Sequence, residues 1–322
     1  SEVLKEALDN CLAQNQKALI FLNRRGFAPY LICRQCGFVP FCRNCAVALT
    51  YHRSLLQLKC HHCNATYKVF DRCPKCQGFK IYPAGVGTER VAADLKAFYP
   101  EVLIVRFDAD TVRKKNKHRE LLLKFAQAQK GILLGTQMIS KGLDFPDIAL
   151  VGVINADTAL SLPDFRAAER TVQLIQQVAG RSGRGLTPGR VIVQTYNPDN
   201  YCLKLLNFSY DKFYRQELAW RQPLNYPPYA EIINIVLSGP DKKATEQEAY
   251  RLAKQVALQL NAEKSKVLGP APAPIEYLKA QHRWHFSVLT SEAETVKKHL
   301  ALIGNQKGKI KVIIDVEPMW LL

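Results

Sequence analysis

Eight of the ten cysteines lie between Cys33 and Cys76, as four Cys-x-x-Cys pairs. A Cys-x-x-Cys turn presents two thiolates to one ion, and zinc in structural sites takes four ligands in a tetrahedron. Four pairs therefore predict two zinc ions, and both are structural because four thiolates leave no position for water or substrate. Thiols that bind metal must stay reduced, so we expect a cytoplasmic protein.

Three pairings of the four turns are conceivable, and their spacing favours one. The pairs at 42/45 and 60/63 are separated by 14 residues, close to the spacing of about 15 to 20 in zinc ribbons. The favoured arrangement is nested and has these ligands: Cys33, Cys36, Cys73 and Cys76 for the first ion, and Cys42, Cys45, Cys60 and Cys63 for the second. Eight thiolates complete both sites, so His52, His61 and His62 are predicted not to be ligands. The isolated Cys11 and Cys202 are predicted to be ordinary buried thiols.

The chain is strongly basic, with 45 Lys and Arg against 28 Asp and Glu and a formal net charge of +17. Such an excess favours polyanions, above all nucleic acid, although a solvated basic surface without a partner is the alternative. Basic and aromatic residues also alternate with the cysteines, and such residues can hold nucleic acid by phosphate contact and base stacking. We expect at least half of these aromatic side chains to form the small core of the cysteine-rich segment instead.

The elements around this segment alternate between strand and helix, which predicts a mostly parallel sheet covered on both faces. The cysteine-rich segment interrupts that pattern as an insertion. Beyond a proline-rich stretch, the order strand, helix, strand, strand, helix, strand predicts a ferredoxin-like α+β domain. The predicted boundaries are an α/β domain over 1–32 and 80–202, the insertion over 33–79, a linker over 203–230 and the α+β domain over 231–322. No stretch of about 18 apolar residues is present, so we expect no membrane span.

Two motifs in the α/β domain point to nucleotide chemistry. In QQVAGRSGR (176–184), Gln177, Arg181 and Arg184 lie near the end of a predicted helix, with the arginines on one side. Guanidinium groups presented in this way suit the γ-phosphate of a nucleotide bound by a neighbouring domain. In GTQMISKGLDFP (135–146), a Gly-Thr follows a strand directly, and Gly142 and Asp144 are predicted to reach the same nucleotide.

Together these motifs resemble the second lobe of superfamily 2 helicases. In their order with FLNRRGF (21–27), the eight cysteines, GVGTER (85–90) and LPDFRAAER (162–170), they resemble the PriA family (primosomal protein N′) of replication-restart helicases. The resemblance covers essentially the whole chain. It implies a RecA-like lobe 2, the nested zinc pairing, and a C-terminal domain that helps to bind branched DNA. It also implies DNA contacts by these residues: Arg24, Arg25, Thr88, Thr136, Gln137 and Lys141.

The chain departs from a complete helicase in one respect. A helicase needs a P-loop and a Walker B acid, but the one Gly-Lys pair, Gly308-Lys309, is followed by Ile. Asp157 ends an apolar strand, yet Thr158 follows it where a Glu is required. We therefore interpret the chain as a C-terminal half that hydrolyses no ATP alone, while the full-length protein binds ATP and Mg²⁺.

By this resemblance, the full-length protein is an ATP-dependent 3′→5′ DNA helicase that binds stalled forks and starts replication restart. Its expected partners are single-stranded and forked DNA, primosome proteins and single-strand-binding protein, and we expect a monomer. The alternative hypothesis is a zinc-stapled DNA-binding or scaffold module without motor activity. The two hypotheses differ in whether Arg181 and Arg184 are needed for ATP turnover.

Overall fold

The structure is a computed structural model, and it describes residues 1–22, 30–45, 47–52, 56–61, 63–83, 88–107, 117–136, 139, 147–180, 182, 189–207, 209–304 and 309–321. Its helices are α1 (Glu2–Ala13), α2 (Thr88–Phe98), α3 (Lys117–Gln127), α4 (Asp157–Leu160), α5 (Ala167–Ala179), α6 (Tyr201–Lys204), α7 (Tyr210–Arg221), α8 (Lys242–Gln259) and α9 (Ala293–Gly304). Its strands are β1 (Lys17–Leu22), β2 (Leu31–Cys33), β3 (Thr50–His52), β4 (Gln57–Lys59), β5 (Thr66–Lys68), β6 (Ile81–Pro83), β7 (Ile104–Phe107), β8 (Gly131–Gly135), β9 (Ile148–Ile154), β10 (Arg190–Val193), β11 (Glu231–Gly239), β12 (Ser265–Leu278), β13 (Gln281–Thr290) and β14 (Lys311–Val316).

Five parallel strands form the central sheet of the α/β domain, in the order β10-β9-β1-β8-β7. The middle strand β1 is buried on both faces. Leu19 and Phe21 pack into one core together with α3 and α5, whereas Ala18 and Ile20 pack into a second core with α1 and α2. A strand covered on both sides can be apolar throughout, which explains the unbroken run ALIFL. The predicted α/β class is confirmed.

The cysteine-rich segment, residues 33–79, is called the zinc module below. At its base β2 pairs with β6 in antiparallel fashion, so the two ends of the insertion leave the α/β domain side by side. Within the module, β3, β4 and β5 form a small antiparallel sheet. Leu49 and Leu58 are buried beneath it among the cysteines of the second predicted site.

The segment over 203–230, which was predicted as a linker, is largely helical. It contains α6, a short 3₁₀ turn, all of α7 and a second 3₁₀ turn at Gln222–Leu224. Phe213 of α7 is buried in the core of the α/β domain. The prolines that predicted a connector follow the end of α7, and Pro223 lies in the first turn of the 3₁₀ helix, where its missing N–H costs no hydrogen bond.

The C-terminal domain has the element order β11-α8-β12-β13-α9-β14 and an antiparallel sheet in the order β12-β13-β11-β14. This is the ferredoxin-like arrangement that the sequence predicted. Ile233, Ile235 and Leu237 of β11 face a core shared with α8 and α9. Ile232 and Asn234 alternate with them and face the other side of the sheet. Among the helices of the described ranges, none is both long and apolar enough to cross a membrane.

Candidate metal centres and the junction around them

The cysteine turns share a backbone conformation that brings their two thiols together. The residue after the second cysteine is left-handed at Gly37 (φ 70°), Asn64 (φ 63°) and Gln77 (φ 57°). Its N–H donates to the carbonyl oxygen of the first cysteine of the turn at 2.8 to 2.9 Å. Glycine and asparagine tolerate this conformation at low cost, so the local sequence favours the turn at two of these three positions.

The thiols gather in the two sets of four that the nested arrangement predicts, with all sulfurs of a set within 4.8 Å of one another. The Sγ–Sγ distances are 3.7 Å for Cys33–Cys76, 3.5 Å for Cys36–Cys73 and 3.6 Å for Cys42–Cys63. A zinc ion with bonds of about 2.3 Å needs tetrahedral edges of about 3.8 Å. The donors therefore fit two structural zinc ions, here called the first centre (Cys33, Cys36, Cys73 and Cys76) and the second centre (Cys42, Cys45, Cys60 and Cys63).

Most aromatic residues of the module support this packing, as expected for its core. Tyr51, Tyr67 and Phe70 pack against the buried cluster around the second centre. The Tyr67 hydroxyl accepts a hydrogen bond from the Arg43 backbone N–H at 3.1 Å and lies 3.5 Å from Cys42 Sγ. These contacts fix the turn that carries Cys42.

Two arginine–aromatic pairs lie on the outside of the module and of the neighbouring strand β6. The Arg34 guanidinium lies 4.7 Å from the centre of the Tyr82 ring, and that of Arg72 lies 4.6 Å from the Phe79 ring. Phe79 is 67% exposed and Tyr82 is 46% exposed. Flat, cation-bearing surfaces of this kind can stack on bases and contact phosphates.

The first centre rests on the α/β domain. A Cβ added to Gly37 would lie 2.2 Å from the Tyr196 carbonyl oxygen, so the Gly37 turn touches the loop after β10. That loop is held by Asp157, whose carboxylate accepts from Thr195 Oγ1 at 2.9 Å and from the Tyr196 backbone N–H at 3.0 Å. Burial raises the pKa of Asp157, against the lowering effect of these hydrogen bonds. Asp157 is thus an anchor of the loop, which agrees with its rejection as a Walker B acid.

The second centre rests on the C-terminal domain and the segment before it. His61, between two ligands of the second centre, has its Nδ1 2.7 Å from the Pro272 carbonyl oxygen, and its own carbonyl oxygen accepts from His285 Nε2. The Tyr226 hydroxyl donates to the Cys45 carbonyl oxygen at 3.2 Å. Burial lowers the pKa of His61 to about 4, so its ring is neutral at neutral pH.

The LPDFRAAER stretch connects the α/β domain to the end of the chain. Asp164 is buried and accepts from Arg166 at 2.9 and 3.1 Å and from Arg170 at 2.9 Å. Arg166 also donates to the Pro318 carbonyl oxygen at 2.7 Å, while Arg170 donates to that of Met319. Burial alone raises the pKa of Asp164, but the hydrogen bonds and charges of the two arginines outweigh it and lower the pKa.

Most residues predicted for nucleotide or DNA contact lie outside the described residues, namely Arg24, Arg25, Gln137, Lys141, Gly142, Asp144, Arg181 and Arg184. Of the others, Gln177 is exposed near the end of α5, and Thr136 is half-buried directly after β8. Thr88 begins α2 and is 0% exposed. Thr88 is thus enclosed by protein in this chain, and its contact with DNA stays a prediction.

Three family models match successive parts of the chain. The helicase conserved C-terminal domain matches residues 87–185, and the PriA DNA helicase Cys-rich region domain matches residues 42–68. The primosomal protein N C-terminal domain matches residues 222–319. The chain belongs to the PriA family. The Cys-rich match covers all four ligands of the second centre, and the PriA C-terminal match covers the domain on which that centre rests.

Curated PriA proteins align along almost the whole chain. The replication restart protein PriA of Bacillus subtilis is 38% identical over 327 residues, which is 99% of this chain and 40% of that protein. PriA of a Synechocystis strain is 39% identical, and the alignment spans 99% of this chain and 39% of that protein. PriA of Chlamydia muridarum is 35% identical, and the alignment spans 99% of this chain and 43% of that protein. The chain therefore spans about two fifths of the length of these relatives. A solved structure of Mss116p DEAD-box helicase domain 2 bound to an RNA duplex is 16% identical, with a TM-score of 0.31 over 60% of this chain and 47% of that one.

Sequence reasoning missed the residues that join the zinc module to its neighbours. His61 and Pro272 are 211 positions apart, and Tyr226 and Cys45 are 181 positions apart. No local pattern connects residues at such distances. One signal was present: a histidine inside a zinc turn that is not needed as a ligand must have another partner when buried.

Proposed function

We propose that the chain provides the second motor lobe, the zinc module and the C-terminal domain of an ATP-dependent 3′→5′ DNA helicase that initiates replication restart. The observation that carries the proposal is the pair of four-thiol centres in an insertion whose two ends pair as β2 and β6. The insertion interrupts a domain with a parallel sheet that matches the helicase C-terminal model. The curated relatives are replication restart proteins, which supports the same role.

ATP binds between a preceding lobe and this one in the proposed enzyme. Arg181 and Arg184, which come after α5 in the sequence, are assigned to the γ-phosphate, and Gln177, Gly142 and Asp144 complete the proposed set of nucleotide contacts. Opening and closing of that cleft moves the two lobes along single-stranded DNA. The chain has no P-loop in its sequence, so alone it is expected to hydrolyse no ATP.

DNA binds along the same lobe and across the zinc module in this proposal. Thr136, Gln137 and Lys141 are the candidates for strand contact, together with Arg24 and Arg25 after β1. The C-terminal domain recognises the branch of a stalled fork. Primosome proteins and single-strand-binding protein are the proposed protein partners, and the cytoplasm is the proposed location.

The zinc ions contribute rigidity in this scheme. Each holds four thiolates and has no open position, so neither polarises a substrate nor activates water. Their role is to keep the module folded at the junction and to present its outer pairs, Arg34 with Tyr82 and Arg72 with Phe79, to DNA.

The test is DNA-stimulated ATP turnover by the full-length protein that contains this chain, measured beside its affinity for fork DNA. Arg184→Lys keeps the charge but loses the planar two-pronged donor, and Arg184→Ala loses both. We expect each variant to lose turnover by about 10³-fold or more, the effect of a missing arginine finger, and to keep its fork affinity. Absent turnover in the wild type, or turnover that survives both substitutions, refutes the motor assignment.

A second candidate function is a zinc-stapled DNA-binding or scaffold module without motor activity. The exposed arginine–aromatic pairs of the module favour it, because they need no nucleotide to contact DNA. In the same experiment, this function predicts fork binding without turnover.

A further inference from the structure

Two imidazoles and a carboxylate meet where the zinc module touches the C-terminal domain, apart from the eight cysteine ligands. His52 belongs to β3, His61 lies in the turn after β4, and Glu276 belongs to β12. His52 Nε2 is 3.2 Å from His61 Nε2, and His52 Nδ1 is 3.8 Å from a carboxylate oxygen of Glu276. One donor atom from each of the three lies within 4.8 Å of the others.

The hydrogen bond of His61 determines which of its nitrogens is available. The Pro272 carbonyl oxygen can only accept, so His61 Nδ1, 2.7 Å away, must carry the proton and donate it. In the neutral ring this leaves the lone pair on Nε2, directed at His52. Metal-ligating histidines typically use this arrangement, in which a backbone carbonyl fixes the tautomer and the other nitrogen binds the ion. His61 is 1% exposed, so its ring is held in this position.

We propose that His52, His61 and Glu276 form a third metal site, for zinc or a similar divalent transition ion. Two imidazoles and one carboxylate are a donor set that zinc uses with a water molecule in the fourth position. Two nitrogens bound to one tetrahedral ion at about 2.0 to 2.1 Å lie about 3.3 Å apart, close to the 3.2 Å between these rings. The Glu276 side chain is 43% exposed and that of His52 18% exposed, so solvent reaches the Glu276 edge of the cluster.

The backbone of β12 helps to direct Glu276. The pairing of β12 with β13 shifts register between Pro272 and Tyr277, and Glu276 lies in that irregular stretch. A break in register of this kind changes the direction of a side chain relative to a regular strand. The same stretch therefore provides the carboxylate and, at Pro272, the carbonyl oxygen that orients His61.

Charged residues near the three proposed ligands have opposing effects on a bound cation. Lys59 lies near His52 and its positive charge acts against a cation, while the Glu276 and Glu246 carboxylates act on Lys59 with the opposite sign. Lys242 is a further, like-charged neighbour of Lys59. An ion bound by the three ligands links β3 and the turn after β4 to β12, so it pins the zinc module to the C-terminal domain.

The test uses the whole chain with both four-thiolate centres filled with zinc, titrated with Co²⁺ as the probe. Cobalt bound by imidazole and carboxylate shows weak visible bands without the intense thiolate charge-transfer absorption. We expect one equivalent of Co²⁺ to bind with the zinc content unchanged at two per chain. After equilibration with zinc instead, metal analysis should give three ions per chain.

The variants His52→Gln and Glu276→Gln should lower the affinity for the third metal ion by more than about 100-fold. This exceeds the loss that is typical when a residue that only hydrogen-bonds to a ligand is replaced. His299→Gln on α9 and the exposed Glu263→Gln are matched controls that should bind as the wild type does. A variant that still contains two zinc ions has a folded zinc module. A plain hydrogen bond between the two rings also fits 3.2 Å, and in that case the wild type binds no third ion.

Absence of a third equivalent in the wild type, or its persistence in both variants, overturns the site. If His52→Gln loses the third metal ion while Glu276→Gln still binds it, Glu276 is not a ligand and the proposed ligand set is wrong. The measurement needs neither ATP nor DNA, so its outcome is independent of the proposed helicase function.

Discussion

Replacing Gly37 with alanine tests how the zinc module is seated on the α/β domain. Gly37 has a φ of 70°, and its turn closes the Cys33–Cys36 half of the first centre. An added Cβ would lie 2.2 Å from the Tyr196 carbonyl oxygen and 2.4 Å from Asn197 Cβ. Such separations are far below van der Waals contact, so either the turn or the loop after β10 must move.

The expected cost has two parts. The left-handed conformation costs a residue with a Cβ roughly 1–2 kcal/mol relative to glycine. Relieving the overlap with a backbone carbonyl is comparable to overpacking a core, at roughly 1–3 kcal/mol. Gly37→Ala should therefore lower the free energy of unfolding of the first centre by about 2–5 kcal/mol.

The assay is a urea titration that follows zinc release with a chelating dye, alongside the unfolding of the α/β domain. Gln77→Ala is the matched control, because Gln77 occupies the equivalent left-handed position of the same centre, already has a Cβ and is exposed. It should change stability by less than about 0.5 kcal/mol. A Gly37→Ala midpoint indistinguishable from that of Gln77→Ala would refute both the left-handed turn and the close approach to Tyr196.

Two further predictions concern the buried anchor and the metal content. Asp164→Asn should destabilise the chain by about 3–5 kcal/mol, because Arg166 and Arg170 then lose the carboxylate that pairs with both. The folded-state pKa of Asp164 is lowered, so its contribution is present above the unfolded value of about 3.9 and is lost as the pH falls through the folded value. Denaturation curves of both proteins should thus converge in strong acid, and a gap independent of pH contradicts the ion pair. Before any added zinc, Cys60→Ser should contain one zinc ion fewer than the wild type, whereas Cys202→Ser should contain as many, and equal zinc contents would disprove the assignment of the second centre.

The sequence made the chemistry of the zinc module predictable because ligand type and turn geometry are local. Each Cys-x-x-Cys pair places two sulfurs on one ion whatever surrounds it, and the spacing of the pairs favoured the nested sets. The alternation of strands and helices could also be predicted from the sequence, because burial on one or both faces of an element sets the spacing of its apolar residues.

Local pattern was insufficient in the segment over 203–230 and at Thr88. The prolines that predicted a connector lie beyond Arg221, where α7 ends, whereas Phe213 of α7 is buried in the core of the α/β domain. Thr88 belongs to a motif with a predicted DNA contact, but its burial depends on how α2 packs. In both cases the environment of the side chain depends on tertiary packing, which a local pattern does not contain.

The sequence by itself thus determined the two zinc ions, the α/β and ferredoxin-like classes of its domains, and a resemblance to one helicase family. Only the tertiary structure decided that the zinc module lies between these domains, that His61 is fixed by Pro272, and that Glu276 approaches His52. The physical reason is separation along the chain. Metal ligation and periodic burial act between near neighbours, whereas residues about 200 positions apart meet only after every intervening element has packed.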